Sequence, residues 1–297
     1  MFKIIFPALL AGLIVVGFKS VETLDVKVEW PGFSREAHRG GRGLAPENTI
    51  PAMIDALDRN ITTLEMDCQI TADGEVIVSH DSKINTQFSL SGSGKEIGKE
   101  EAEKLILFQM SYEEIRKFDV GSKAYLKFPR QKKINTYIPK LGDLIDSVQE
   151  NIRINKRKQV FYNIETKISP EGDNKLHPEP EKFVELLMNV INQKRISPWV
   201  IIQSFDPRTL EIIHRNYPEV KTSFLVAAGD FNTNLKKLSF KPDVYSPMFS
   251  LVNKELIAEV HEKNIKIIPW TVNEGEKIDE LKKMGTDGII SDYPDLF

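Results

Sequence analysis

Two histidines close apolar, strand-like runs early in the chain, His38 in REAHRG and His80 in VIVSHD. Between them, TLEMDCQI carries Glu65 and Asp67 at i and i+2, so both carboxylates project from one strand face and Leu64, Met66 and Cys68 from the other. A third acid, Glu165, ends the apolar run VFYNIETK in the same way. If the apolar face packs on surrounding helices, the acids point inward, where paired carboxylates are costly unless something cationic joins them. Three strand-end carboxylates make an oxygen-ligand site for Ca²⁺ or Mg²⁺. Arg39 and Lys167 complete the set, since arginine grips a phosphate bidentately and lysine adds a point charge. Gln203 in VIIQSFD and Trp270 in KIIPWTV also end strand-like runs and are candidates to line a pocket. Together these parts suit hydrolysis of a phosphodiester. One group must take a proton from the nucleophile and another must protonate the departing alkoxide, work that two histidines can share. The metal and Arg39 would stabilise charge on the phosphoryl oxygens. The remaining histidines, His177 in a Pro-rich turn and His214 and His261 on charged helices, read as surface residues.

The elements that must position these groups alternate. Strand patterns cover Arg35–His38, Thr62–Ile70, Val76–His80, Gln159–Thr166, Trp199–Ser204, Thr222–Ala227, Val244–Met248, Lys266–Val272 and Gly288–Ser291. Amphipathic helical patterns fall between them at Thr49–Arg59, Leu141–Glu150, Pro180–Gln193, Pro207–Tyr217, Asn253–Lys263 and Glu274–Met284. Such alternation is the signature of an α/β protein with mainly parallel strands. Nine strands are one too many for an eight-stranded barrel, and the short Asp73-Gly74 turn favours a hairpin between the second and third. The expected fold is a TIM-type (β/α)8 barrel, irregular near strands 2 and 3, with a doubly wound open sheet as the alternative. Residues from about 82 to 139, roughly twice a usual loop, read as a small inserted subdomain of the barrel domain spanning 34–297.

The stretch EAHRGGRGLAPENTIPAM joins the first strand to the first helix. Its glycines between residues 40 and 43 turn the chain without side-chain bulk, Asn48 reads as the helix N-cap, and Glu47 as a brace for Arg39 or for the metal shell. The net charge of −3 does not suggest a nucleic-acid partner. The basic runs at 130–133 and 151–158 read as solvated turns. With a single cysteine, Cys68, no intrachain disulfide can form. Residues 1–20 combine one early lysine with an apolar run from Ile4 to Phe18, the pattern of a signal peptide or an uncleaved N-terminal anchor. The protein is therefore expected to be exported, periplasmic or extracellular, with membrane association through that segment only.

Taken in order from about Glu36 to Phe297, HRGGRGLAPENT, LEMDCQITADGEVIVSHD, NIETK, QSFD and PWTVN…GTDGIISDYP resemble the glycerophosphodiester phosphodiesterase family. The resemblance implies a barrel of the phospholipase-C-like phosphodiesterase kind, with the segment after His80 as its inserted subdomain. It implies His38 and His80 as the acid/base pair, Arg39 and Lys167 on the phosphate, and one divalent metal, Ca²⁺ or Mg²⁺, on Glu65, Asp67 and Glu165. The implied reaction converts a glycerophosphodiester to sn-glycerol 3-phosphate and an alcohol, through a cyclic glycerol phosphate or by direct attack of water. Arg42 departs from the commonest pattern, as do the basic residues around 127–133; either would bias the head group toward anions.

Two rivals stand beside this reading. A lysophospholipase D on lipid substrates would need an apolar groove, for which Phe88, Leu105, Ile106, Leu107 and Phe108 of the insert are candidates. A secreted binding protein that kept the barrel without the chemistry is the other, and both histidines and all three acids count against it.

Overall fold

In a computed structural model of the protein, residues 28–297 are described; the expected leader over residues 1–20 lies outside them. The chain runs β1 (Ser34–Ala37), α1 (Ile50–Leu57), β2 (Thr63–Ile70), β3 (Val76–Val78), α2 (Lys99–Ala102), α3 (Tyr112–Ile115), α4 (Leu141–Ile154), β4 (Phe161–Thr166) and α5 (Pro180–Lys194). It continues through β5 (Val200–Ser204), α6 (Pro207–Asn216), β6 (Lys221–Val226), α7 (Phe231–Leu235), β7 (Val244–Pro247), α8 (Lys254–Glu262), β8 (Lys266–Ile267), α9 (Gly275–Met284) and β9 (Gly288–Ser291).

Eight strands lie parallel in the order β8-β7-β6-β5-β4-β2-β1-β9. The ends of that row meet: the Asp287 and Ile290 amides donate to the Ile267 and Pro269 carbonyls, each at 3.0 Å, and the Val272 amide to Ile290 at 3.0 Å. The sheet thus curls into a nearly closed barrel. The ninth strand, β3, stands outside the ring and pairs antiparallel with β2, Cys68 opposite Val78 and Ile70 opposite Val76. Gly74, at φ 80°, makes the tight turn between them. The expected strand Lys266–Val272 is regular over only Lys266–Ile267. Pro269 has no N–H to give to a ladder, so the chain beyond it reaches its neighbours through scattered bonds.

Strand alternation then builds two cores. Leu64, Met66, Cys68 and Ile70 of β2 face outward and are buried with Phe183, Leu187, Met188 and Ile191 of α5, as the expected outer face requires. Inside the barrel, one side is apolar, with Val244, Ile268 and Ile290 packed against Trp30 and Trp270. The other side is polar, where buried Ser34, Glu36, Thr63, Glu65, Asn163 and Gln203 come from β1, β2, β4 and β5. In the segment 82–139, Ile84, Ile97, Leu107, Tyr112, Ile115, Val120 and Ile138 form a small cluster of their own around Ile77 of β3.

The turn after β1 shows why glycine is needed there. A Cβ on Gly43 would come within 2.3 Å of the Tyr293 ring, and one on Gly40 (φ 76°) within 2.9 Å of Ala52. Gly43→Ala should therefore push the C-terminal segment away and destabilise the fold by about 1–3 kcal/mol, read as a lower denaturation midpoint at unchanged slope. Helix α1 is capped by Thr49, whose hydroxyl accepts from the Ala52 amide at 3.4 Å, and not by Asn48 as expected. The Asn48 side chain is drawn instead to Asp67, with its own backbone at φ 58°.

Candidate active site

Except for His80, which follows the antiparallel β3, the singled-out groups sit toward the C-terminal ends of the parallel strands, where barrel sites form. The three acids are buried, and each offers an oxygen within 4.8 Å of the others. Glu65 is held from two sides: the Arg39 amide donates to one oxygen at 2.7 Å and the Gln203 side chain to the other at 2.7 Å. Asp67 accepts from the Asn48 side chain at 2.8 Å, lies 3.2 Å from Arg39 Nε, and has Oδ1 buried without a partner. Lys167 Nζ donates to Glu165 at 2.8 Å and stands 3.9 Å from Asp67.

Electrostatics divide the acids. Burial, with Asp67 beside it, pushes the Glu65 carboxyl up, and burial also raises Glu165 against the pull of Lys167. Burial would raise Asp67 too, but Arg39 above all outweighs it and holds this carboxyl well below the ordinary range. Three buried carboxyl groups with one orphaned oxygen fit a hard divalent cation, which would let all three ionise together. Arg39 stays charged despite its burial, because Asp67 and Glu47 raise it further. Its guanidinium donates to Glu47 at 2.7 Å, so Glu47 braces the arginine.

His38 follows β1 directly. Its Nδ1 is 2.5 Å from Asp292 Oδ1 and its Nε2 is 4.0 Å from Glu65. Burial lowers the imidazole to about 4, with Asp292 opposing the shift. The neutral ring then carries its proton on Nδ1 and donates that N–H to Asp292, which leaves Nε2 as a bare acceptor facing the acids. Asp292 is itself fixed, by the Asn273 side chain at 2.8 Å and by Arg42 at 2.6 Å, and it is held below the ordinary range by His38 and Arg42 against its burial. Arg42 also stacks over Phe128, 4.9 Å from its ring centre, and is therefore committed to bracing. His80 is more open, with Nδ1 2.8 Å from Asp81.

Gln203 is almost fully buried and reaches the site through Glu65. Trp270 is half-buried, donates from its indole to the Ser246 carbonyl at 2.8 Å, and meets the exposed Phe205 ring edge-on at 5.4 Å. His214 and His261 are exposed as expected, stacked on Phe240 and bonded to Asp287 respectively. His177 is not a surface residue but 3% exposed. It accepts from the Ser169 amide at 3.0 Å, and Gly172, with no side chain, leaves its ring room.

Asp292 is the functional residue that strand-end reasoning passed over. It follows GIIS at the end of β9 as Glu165 ends β4, so the same signal was present. Asp292→Asn would no longer fix the tautomer of His38, and kcat should fall about 10²–10⁴-fold with KM little changed, as steady-state kinetics would show.

Fold and site together define a TIM-barrel phosphoric diester hydrolase. Residues 38–296 match the model of the glycerophosphoryl diester phosphodiesterase family, and the chain belongs to that family. A glycerophosphodiester phosphodiesterase of Caldanaerobacter subterraneus is 28% identical over 87% of this chain and 93% of its own. The human lysophospholipase D GDPD3 is 26% identical over 87% of this chain and 81% of its own. Among solved structures, a family member from Silicibacter pomeroyi is 28% identical and superposes with a TM-score of 0.78, covering 90% of this chain and 92% of that one. An Oleispira antarctica phosphodiesterase in complex with sn-glycerol-3-phosphate shares the fold at 21% identity and a TM-score of 0.68, covering 88% of this chain and 93% of that one.

Proposed function

We propose that the protein hydrolyses glycerophosphodiesters to sn-glycerol 3-phosphate and an alcohol, with one divalent cation, Ca²⁺ or Mg²⁺, held by Glu65, Asp67 and Glu165. The observation that carries this reading is the buried acid cluster with an orphaned Asp67 oxygen, set between Arg39, Lys167 and the bare Nε2 of His38. When bound, the cation supplies positive charge to the phosphoryl oxygens. Arg39 and Lys167 add to it and orient the phosphate. His38 takes the proton of the attacking hydroxyl at Nε2, and its imidazolium is stabilised by Asp292. The P–O bond to the head-group alcohol breaks, and His80, oriented by Asp81, protonates the departing oxygen. Trp270 borders the substrate space, while Gln203 serves by holding Glu65. The nucleophile is water, or a neighbouring glycerol hydroxyl that closes a cyclic phosphate, a ring P–O bond of which is then broken by water to give sn-glycerol 3-phosphate. The apolar N-terminal run alone supports the further reading of an exported protein, periplasmic or extracellular.

The likeness to a lysophospholipase D favours a second reading, activity on lysophospholipids. Of the apolar residues it would need, Leu107 is buried in the insert's own cluster, Leu105 packs on that cluster and Phe108 on the barrel core, whereas the partly buried Phe88 lines a pocket with His80 and Asp81. Turnover of glycerophosphocholine and lysophosphatidylcholine should be compared on one preparation. Faster release from glycerophosphocholine supports the first reading and faster release from the lipid the second. Binding of either without turnover in Ca²⁺ or Mg²⁺ would leave a non-catalytic binding protein.

A further inference from the structure

Glu36 lies inside the barrel and takes no part in the chemistry above. It is fully buried on β1, where Ser34 Oγ donates to one carboxyl oxygen at 2.9 Å and Asn163 Nδ2 to the other at 2.8 Å. Both partners are neutral, and burial pushes this carboxyl up to about 7. A barrel interior that needed only packing would be apolar here, as it is at Ile290, the neighbour of Glu36 on β9, and at Val244 on β7. A buried carboxyl without a cationic partner costs stability when it ionises, so its presence here calls for a role.

The hydrogen bonds continue past it. The same Asn163 Nδ2 donates to Gln203 Oε1 at 3.1 Å, and Gln203 Nε2 donates to Glu65 at 2.7 Å. Each amide has donors at one end and an acceptor at the other, so its orientation is set by what it faces. A carboxylate at Glu36 draws the NH₂ of Asn163. The second N–H of that group then meets the Gln203 carbonyl, and the Gln203 NH₂ is left to face Glu65. A neutral donor at position 36 could instead face Asn163 Oδ1, which is buried and has no partner. The relay would then reverse and turn a carbonyl toward Glu65.

We infer that Glu36 is a positioning residue, whose carboxylate acts through Asn163 and Gln203 to hold Glu65 in the orientation that receives the divalent cation. This rests on the metal reading above, and the test separates the two. Glu36→Gln and the apolar Glu36→Leu are made in the full chain, the second in case the first does not fold. In metal-free protein, the side-chain amide signal of Gln203 in a ¹H–¹⁵N spectrum should move in either variant. In a calorimetric titration with Ca²⁺ or Mg²⁺ alone, affinity should fall about tenfold. In an Asn163→Ala background, adding Glu36→Gln should cost less than about twofold more, because the relay is already cut.

Stability should move the other way. With its carboxyl raised above the unfolded value of 4.5, Glu36 contributes stability below that pH and loses it as pH rises through about 7. At pH 8 the metal-free Glu36→Gln protein should therefore melt higher than wild type. A merely structural role would lower melting temperature and affinity together, and that result would overturn the inference. So would an unmoved Gln203 signal, unchanged affinity in a folded variant, or the full loss persisting with Asn163→Ala. A wild-type protein that takes up neither cation sinks the metal reading instead, and the Gln203 signal alone then decides the relay.

Discussion

His38→Ala should lower kcat by about 10²–10⁴-fold, the usual worth of a positioned general base, while the folded protein still takes up its divalent cation. The expectation comes from where the ring's lone pair points. Asp292 engages Nδ1 at 2.5 Å, so Nε2 is the free acceptor and it faces Glu65. The pH dependence has a definite sign. Burial holds His38 near 4, so the base is competent above that pH, and kcat/KM should fall as pH drops through about 4. Asp292 opposes this lowering, so Asp292→Asn should move that limb to still lower pH while reducing its plateau. A pH–rate profile of wild type and Asp292→Asn checks it. Retention of more than a third of wild-type kcat in His38→Ala would remove the residue from the chemistry.

Asp67→Asn should cost at least about 10³-fold in kcat, since the charge a bound cation places on phosphoryl oxygens is worth several kcal/mol. Among the described acids, Asp67 touches most of the site: Asn48, Arg39 and Lys167 all approach it, and its Oδ1 has no other partner. Asparagine keeps the shape and the bond from Asn48 but removes the charge that answers Arg39. Neither Ca²⁺ nor Mg²⁺ should restore activity, and a calorimetric titration should show the loss of binding directly. An Asp67→Asn protein with wild-type affinity and turnover would place the cation elsewhere.

Much of this was legible because barrel strands impose alternation. In TLEMDCQI the outward Leu64, Met66 and Cys68 and the inward Glu65 and Asp67 follow from one parity choice. The Asp73-Gly74 turn marked the extra antiparallel strand β3 in the same direct way. What was missed depends on partners distant in sequence. Asp292 ends its strand as Glu165 does, but the ring it binds lies 254 positions away and nothing local to SDYP names that partner. Glu36 read as the end of a strand, because its two-residue offset from His38 shows a shared face but not the relay through Asn163 and Gln203. Asn48 looked like a helix cap by residue type, and its side chain was claimed by a stronger charged acceptor. His177 sat in polar company along the chain and is buried only because Gly172 lets the loop fold over it.

The account is tested most directly by release of sn-glycerol 3-phosphate from glycerophosphocholine, in a coupled assay on wild-type and His38→Ala protein, first after chelation and then with Ca²⁺ or Mg²⁺ returned. The predicted result is no release after chelation, recovery on return of one of the cations in the wild type, and no recovery in His38→Ala. Undiminished release from the chelated wild type, or full recovery in His38→Ala, would contradict it.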